Sequence, residues 1–273
     1  MLHVQKISSL EIPELQPYRT LRRQAEHRAQ RIFVAEGEKT IRRLLETHFV
    51  LVSVLLTPEW LQIFEPLLKN RHDEIHVYVA EKSVVETLTG YTMFQGLLAV
   101  AKIPTPPTLG EILNNSAKPN LFVATDGVQN AENLGTLVRN CAAFSVQALF
   151  MSQSSSSPFL RRAVRSSMGG IFKIPVLEEL DLAKTLQELR RRKIHCIAAH
   201  PHVSGRILPE ANFKNDCCLV FGNEANGISK EVLEICDDAV AIPMPAAVDS
   251  MNVSNAGAVF LYEAQRQRKF GMS

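Results

Sequence analysis

The stretch that decides the fold is residues 120–151, NLFVATDGVQNAENLGTLVRNCAAFSVQALFM. NLFVATDG reads as a buried strand running into a turn, AENLGTLVRNCAAFS as a helix, and VQALFM as a second strand. Strand, helix, strand within about thirty residues is a βαβ unit, whose two strands lie parallel. Near-continuous apolar strands are what a parallel sheet covered on both faces requires.

The alternation extends in both directions. Downstream, SPFLRRAVRSSMGG reads as a loop and helix, DLAKTLQELRRRK as a helix, IHCIAAH as a strand, CCLVFGNEANG as a strand with a turn, and AVAIPM as another strand. Arg190, Arg191, Arg192 and Lys193 sit where a helix dipole is negative. Upstream, YRTLRRQAEHRAQRIFVAEGEKTIRRLLETH reads as two helices around the apolar IFVAEG. It is followed by strands VLVSVLLT, IHVYVA and GLLAVAKI, with helices PEWLQIFEPLLKN and EKSVVETLTG between them. Between these two α/β regions, KIPTPPTLGEI carries three prolines and a glycine. Proline supplies no ladder donor and restricts its predecessor, so this stretch reads as a linker. The expected domains are 1–105, a linker 106–117, and 118–273.

A chain of 273 residues, 46% hydrophobic, can build two cores. Its formal net charge is +2, which excludes a histone-like polycation and confines any nucleic-acid contact to local patches. One such patch runs from Arg19 to Arg43, with eight basic residues (among them Arg22, Arg23, Arg42 and Arg43) against three acidic ones. It reads equally as a solvated helix face or as a phosphate contact. Five scattered cysteines without a C-x-x-C pair read as reduced thiols of a cytoplasmic protein. HCIAAHPH matches no standard zinc spacing, so no metal is expected. There is neither an apolar run of membrane-spanning length nor a signal-peptide core, so no membrane role is expected.

Ligands of open parallel sheets sit beyond the carboxyl ends of the strands. Three such exits stand out: DGVQNAENLGTLVRN (126–140), LVFGNEANGIS (219–229) and IPMPAAVDSMNVSNAG (242–257). In the first, Arg139 interrupts an apolar stripe, and a guanidinium is costly to bury alone, so it faces either an acidic partner or an anionic ligand. In the second, glycines permit close backbone approach around Glu224. None has the G-x-G-x-x-G or G-x-x-x-x-G-K-[ST] spacing, which argues against a dinucleotide or nucleoside triphosphate.

Taken in order, the exits closely resemble the three motifs of the SpoU (TrmH-like) branch of the SPOUT superfamily of RNA methyltransferases. Asn133-x-Gly135-x-x-x-Arg139 resembles motif 1, and Gly222-Asn223-Glu224-x-x-Gly227 resembles motif 2. Ile242-Pro243-Met244 with Ser250-Met251-Asn252-Val253-Ser254 resembles motif 3. Ser167-Met168-Gly169-Gly170 is similar to the family's Ser-Ala-Gly-Ala segment. The likeness spans roughly Asn120 to Gln267. More diffusely, Phe33 to Glu46 and Gln95 to Ile103 resemble the family's N-terminal substrate-binding domain. Motif 1 departs in one place: Asn130-Ala131-Glu132 stands where Asp-Pro-Gly is common.

The resemblance implies an α/β protein with a C-terminal parallel-sheet domain tied in a deep trefoil knot, an exception to the unknotted rule, and a smaller N-terminal α/β RNA-binding domain. It implies S-adenosylmethionine as cofactor, held by Ala199, Gly222, Asn223, Ile242 and Met251, and a homodimer. The implied reaction is methyl transfer to a ribose 2′-hydroxyl of RNA, with Arg139, Asn133, Glu224, Ser250 and Asn252 as the catalytic set. RNA contacts are expected from Arg22, Arg23, Arg42 and Arg43, and from Arg161, Arg162 and Arg165, which could equally belong to a packed helix. A separate N-terminal domain favours large-subunit ribosomal RNA over tRNA. A non-catalytic RNA-binding paralogue would not need all five catalytic residues together. A guanidinium effectively never deprotonates, so Arg139 is read as gripping a phosphate and stabilising developing alkoxide charge.

Overall fold

The structure is a computed structural model, and it describes residues 1–21, 23–88, 96–201, 206–245 and 247–269. Arg22, Gln95 and His202 lie outside the described residues. The chain divides into one unit of residues 1–105 with 159–172, and a second of residues 106–158 with 173–273.

The first unit is built on strands β1 (Leu2–Lys6), β2 (Ile32–Glu36), β3 (Leu51–Leu56), β4 (Ile75–Val79) and β5 (Leu97–Lys102), in the order β1-β4-β3-β5-β2. β1, β4 and β3 are parallel, and β5 runs antiparallel to β3 and β2. Burying Phe33, Ile41, Val54 and Phe64 gives this unit its own core. β1 goes beyond the sequence reading: four of its five side chains are exposed, so an edge strand there carries no apolar alternation. Residues 159–172 leave the chain between two strands of the second unit yet pack with the first. Helix Arg161–Ser167 lies against β2, and Phe159 and Phe172 tilt onto Phe33 at 5.5 and 5.7 Å.

The second unit holds β6 (Leu121–Asp126), β7 (Ala148–Ser152), β8 (Val176–Leu180), β9 (His195–Ala199), β10 (Arg206–Ile207), β11 (Cys217–Gly222) and β12 (Asp238–Ala241). Their order is β10-β12-β9-β11-β6-β7-β8, and every pairing is parallel. Phe122, Phe150, Leu186 and Val220 belong to one buried cluster, and β6, β7, β9 and β11 have near-continuous buried runs, as a doubly covered sheet requires. The short strands β8 and β10 fall at the two sheet edges, where VLEEL and RI offer little apolar pattern to read.

The stretch 106–117, expected as a linker, carries helix Leu109–Asn115. Thr108 and Glu111 form a reciprocal capping box, and Ile112 is buried in the second unit's core. The C-terminal helix Val253–Lys269 packs on helix Ala131–Ala143. Gly257 makes this possible, because a Cβ there would lie 2.4 Å from Leu137 Cδ1. Among the described residues no helix is long and apolar enough to cross a membrane.

Candidate active site

β9, β11 and β12 end side by side, and beyond their carboxyl ends lies a cavity of about 430 Å³. Ala199 ends β9, Gly222 ends β11 and Ile242 follows β12; all three line it, as do Asn223 and Met251. The five residues expected to hold a cofactor thus converge on one space.

The turn after β11 is closed by two hydrogen bonds of 2.9 Å, Asn223 N–H to the Gly227 carbonyl and Gly227 N–H to the Asn223 carbonyl. A Cβ on Gly222 would stand 2.3 Å from the Gly227 carbonyl carbon, so only glycine permits this closure. Asn223 locks the turn from inside: its Oδ1 accepts from Ala225 and Asn226 N–H at 2.9 and 3.0 Å, and its Nδ2 donates to the Gly127 carbonyl at 2.7 Å.

Glu224, Asn133 and Asn252 form one chain of hydrogen bonds at the cavity wall. Asn133 Nδ2 donates to Glu224 Oε1 at 3.1 Å, and Asn252 Nδ2 donates to Asn133 Oδ1 at 2.9 Å. Asn252 Oδ1 in turn accepts from Ser254 N–H and Oγ. Glu224 also accepts from the N–H groups of Gln129 and Asn130, each at 3.2 Å. Partial burial pushes its carboxyl up, but the Asn133 amide and these backbone donors outweigh that and hold it below the usual carboxylate value. Glu224 is therefore an ionised acceptor that fixes Asn133 and the 129–130 backbone, leaving little basicity for taking a proton. Asn130, at the departure from the family's motif 1, caps helix Ala131–Ala143, its Oδ1 accepting from Glu132 and Asn133 N–H.

Ser250 lines the cavity and is exposed. Arg139 does not line it: the side chain is exposed on helix Ala131–Ala143, with no hydrogen bond or ion pair to a described residue. The acidic partner open to it on sequence grounds is thus not present among those residues. Sequence reasoning gave no cofactor role to Phe221, Val240, Met244 (though it names this last one in motif 3) and Phe260, which add to the cavity's apolar wall. Their neighbours in the motifs were a signal for the first three, whereas Phe260 arrives on the last helix.

The chemistry of the lining fits S-adenosylmethionine. A volume near 430 Å³ lies within the range of small-molecule sites. Among its described residues there is no Lys or Arg and one carboxylate, Glu224, which suits a cationic sulfonium and gives a pyrophosphate no guanidinium or ammonium to pair with. Apolar walls suit the ring of a purine. Cys141, Cys196 and Cys218 are raised by burial, and Cys217 is pushed up to about 11 by the same cause, so none offers a thiolate nucleophile at neutral pH.

The arginines expected to meet RNA are differently placed. Arg42 Nε donates to Glu38 at 2.9 Å and its guanidinium lies over Phe64, and Arg43 donates to the Met168 carbonyl. Arg161 pairs with Glu36, both largely buried at 16% and 11% side-chain exposure, and Arg165 lies 3.8 Å from the same carboxylate. Arg23 is exposed and reaches Glu26 at 3.0 Å, while Arg162 is exposed. Arg42, Arg43 and Arg161 thus each hold a partner within the first unit.

A family model described as the SpoU rRNA methylase family matches residues 120–262. The chain is similar to an uncharacterized tRNA/rRNA methyltransferase of Mycobacterium bovis, 29% identical over 97% of this chain and 93% of that one. It is 31% identical to the 23S rRNA (guanosine-2′-O-)-methyltransferase RlmB of Ralstonia nicotianae, over 71% of this chain and 78% of that protein. In fold it resembles the crystal structure of an AdoMet-bound rRNA methyltransferase from Sinorhizobium meliloti. The TM-score is 0.81 at 22% identity, over 97% of this chain and 98% of that one.

Proposed function

This chain belongs to the SpoU rRNA methylase family, and on that premise we propose that it transfers a methyl group from S-adenosylmethionine to a ribose 2′-hydroxyl of ribosomal RNA of the large subunit. The observation that carries the reading is the cavity at the ends of β9, β11 and β12, walled by the linked Glu224, Asn133 and Asn252 and without Lys or Arg among its described residues. Ala199, Gly222, Asn223, Ile242 and Met251 would hold the cofactor. Bound there, it supplies a methyl group already made electrophilic by its sulfonium.

The protein's task is then to present the hydroxyl. Asn133 and Asn252, pinned to each other and to Glu224, hold the N-terminal turns of two helices together beside the cavity, and Ser250 stands where a hydroxyl can meet the ribose. Arg139 grips a phosphate next to the target and stabilises the alkoxide as it forms, while positioning supplies most of the acceleration. Arg139 lies outside the cavity lining, which supports a homodimer in which two protomers complete each site. The second unit, residues 106–158 with 173–273, would carry the catalytic domain, threaded in the family's trefoil knot, and the first, residues 1–105 with 159–172, the RNA-gripping domain. Five free thiols, four of them buried, support a cytoplasmic setting.

Transfer of label from radioactive S-adenosylmethionine to ribosomal RNA and to tRNA, side by side, tests this. Label in an alkali-resistant dinucleotide of ribosomal RNA is the expected result. Label in tRNA alone would overturn the substrate, and cofactor binding without transfer to either would leave a non-catalytic paralogue.

A further inference from the structure

The loop 127–130 joins β6 to the helix that carries Asn133 and Arg139, and its polar backbone groups find partners on two sides. On one side Gln129 and Asn130 N–H donate to Glu224, and the Gly127 carbonyl accepts from Asn223. On the other stands a serine run just past β7. Ser152 and Ser155 hydroxyls accept from Gly127 N–H at 3.0 and 3.1 Å. Ser155 Oγ is also 3.2 Å from the Thr125 carbonyl and 3.2 Å from Ser152 Oγ. Ser156 N–H donates to the Val128 carbonyl at 2.9 Å and its hydroxyl to the Gln129 carbonyl at 2.5 Å. No part of the mechanism above uses these serines.

They brace the residues just before the place where the chain departs from the motif it resembles. Asn130-Ala131-Glu132 replaces an Asp-Pro-Gly whose proline would fix the backbone at the first helical position. Without that ring the loop has more conformations to lose, and a second anchor opposite Glu224 restores the restraint. We propose that Ser156, with Ser155 behind it, is a positioning residue for the methyl transfer, holding Gln129 and Asn130 so that Glu224 and the helix bearing Asn133 and Arg139 keep their register. This rests on the functional reading above, and it names residues in which that reading takes no interest.

The test is Ser156→Ala, Ser156→Thr, and Ser156→Ala combined with Ala131→Pro, each followed by transfer kinetics and by amide hydrogen exchange at Gln129 and Asn130. Ser156→Ala should lower kcat about tenfold or more, leave the KM for S-adenosylmethionine unchanged, and speed exchange at both amides. Threonine, which keeps the hydroxyl, and proline at 131, which stiffens the loop independently, should each recover kcat and slow exchange. A hydroxyl that merely adds stability would give a lower Tm that neither loop exchange nor the proline follows. Unchanged exchange at both amides in Ser156→Ala overturns the proposal even if the wild-type chain methylates no RNA offered, a result that would count against the functional reading alone. Full kcat in Ser156→Ala, or a loss that proline at 131 does not recover, overturns it as well.

Discussion

At the scale of single residues the two charged groups of the site divide the work by their surroundings. Arg139 is exposed and without a described partner, so its removal should leave folding and cofactor binding intact and strike the reaction. Arg139→Ala should lower kcat by about 10²- to 10³-fold, the usual cost of losing a donor aimed at developing charge. Arg139→Lys should recover little, because an ammonium lacks the bidentate fork. Substantial lysine activity that rises with pH would instead make the group a base. Glu224 is held below its ordinary pKa by the Asn133 amide and two backbone donors, which outweigh its desolvation. Its folded pKa lies below its unfolded one, so the stability it adds is present above about 4.3 and is lost as pH falls through the lower folded value. Glu224→Gln should therefore lower Tm at about pH 7 and cost progressively less towards about pH 3. A Tm gap of constant size across that range would mean that the carboxylate's charge plays no part.

At the scale of elements the site depends on how closely two helices meet. Helix Val253–Lys269 begins just after Asn252, and helix Ala131–Ala143 carries Asn133, so their separation sets the Asn252 to Asn133 hydrogen bond of 2.9 Å. Gly257→Ala would press a methyl against Leu137. Calorimetry should show a loss of about 1–3 kcal/mol, as overpacking does, with transfer activity falling alongside. Retained Tm and activity would mean the helices separate freely there. This contact was not legible in the sequence: Gly257 and Leu137 stand far apart in the chain, and a glycine in a helical pattern does not say which neighbour needs the room. Most helices and strands were legible, because their 3.6 and near-continuous patterns are local, but helix Leu109–Asn115 was hidden behind the prolines that read as a linker. The edge strands β1, β8 and β10 were not legible either: β1 and β10 expose most of their side chains, and β8 offers only Val176 and Leu177 before two glutamates.

At the scale of the whole molecule the question is which cations meet RNA. Arg161 is committed to Glu36 in a largely buried pair, so Arg161→Ala should lower stability, but by less than the about 3–5 kcal/mol of a stranded carboxylate, because Arg165 lies 3.8 Å from the same group. Arg162, its exposed neighbour, should lower RNA affinity when changed to alanine, with Tm unchanged. It should also make the dependence of affinity on salt less steep. Titrations at several salt concentrations together with thermal melts separate the two roles. If Arg161→Ala keeps its stability and loses RNA instead, the pair with Glu36 is incidental. Arg42 and Arg43 each hold a partner as well, Glu38 and the Met168 carbonyl, which a count of charges along the chain does not reveal.

The sequence by itself determined the parallel sheet of the second unit and the three strand exits, and through them the family, since apolar periodicity and short motifs are properties of neighbouring residues. It also placed Ala199, Gly222, Asn223, Ile242 and Met251 on one cavity by way of the family likeness. Only the tertiary structure decided that Glu224 reaches across to the 129–130 backbone, that the serines after β7 close the same loop from the other side, and that Arg139 stands outside the pocket. Each of these depends on where separate strand exits fall beside one another in the sheet, and that order is set by packing the strands, which no local stretch of the chain records.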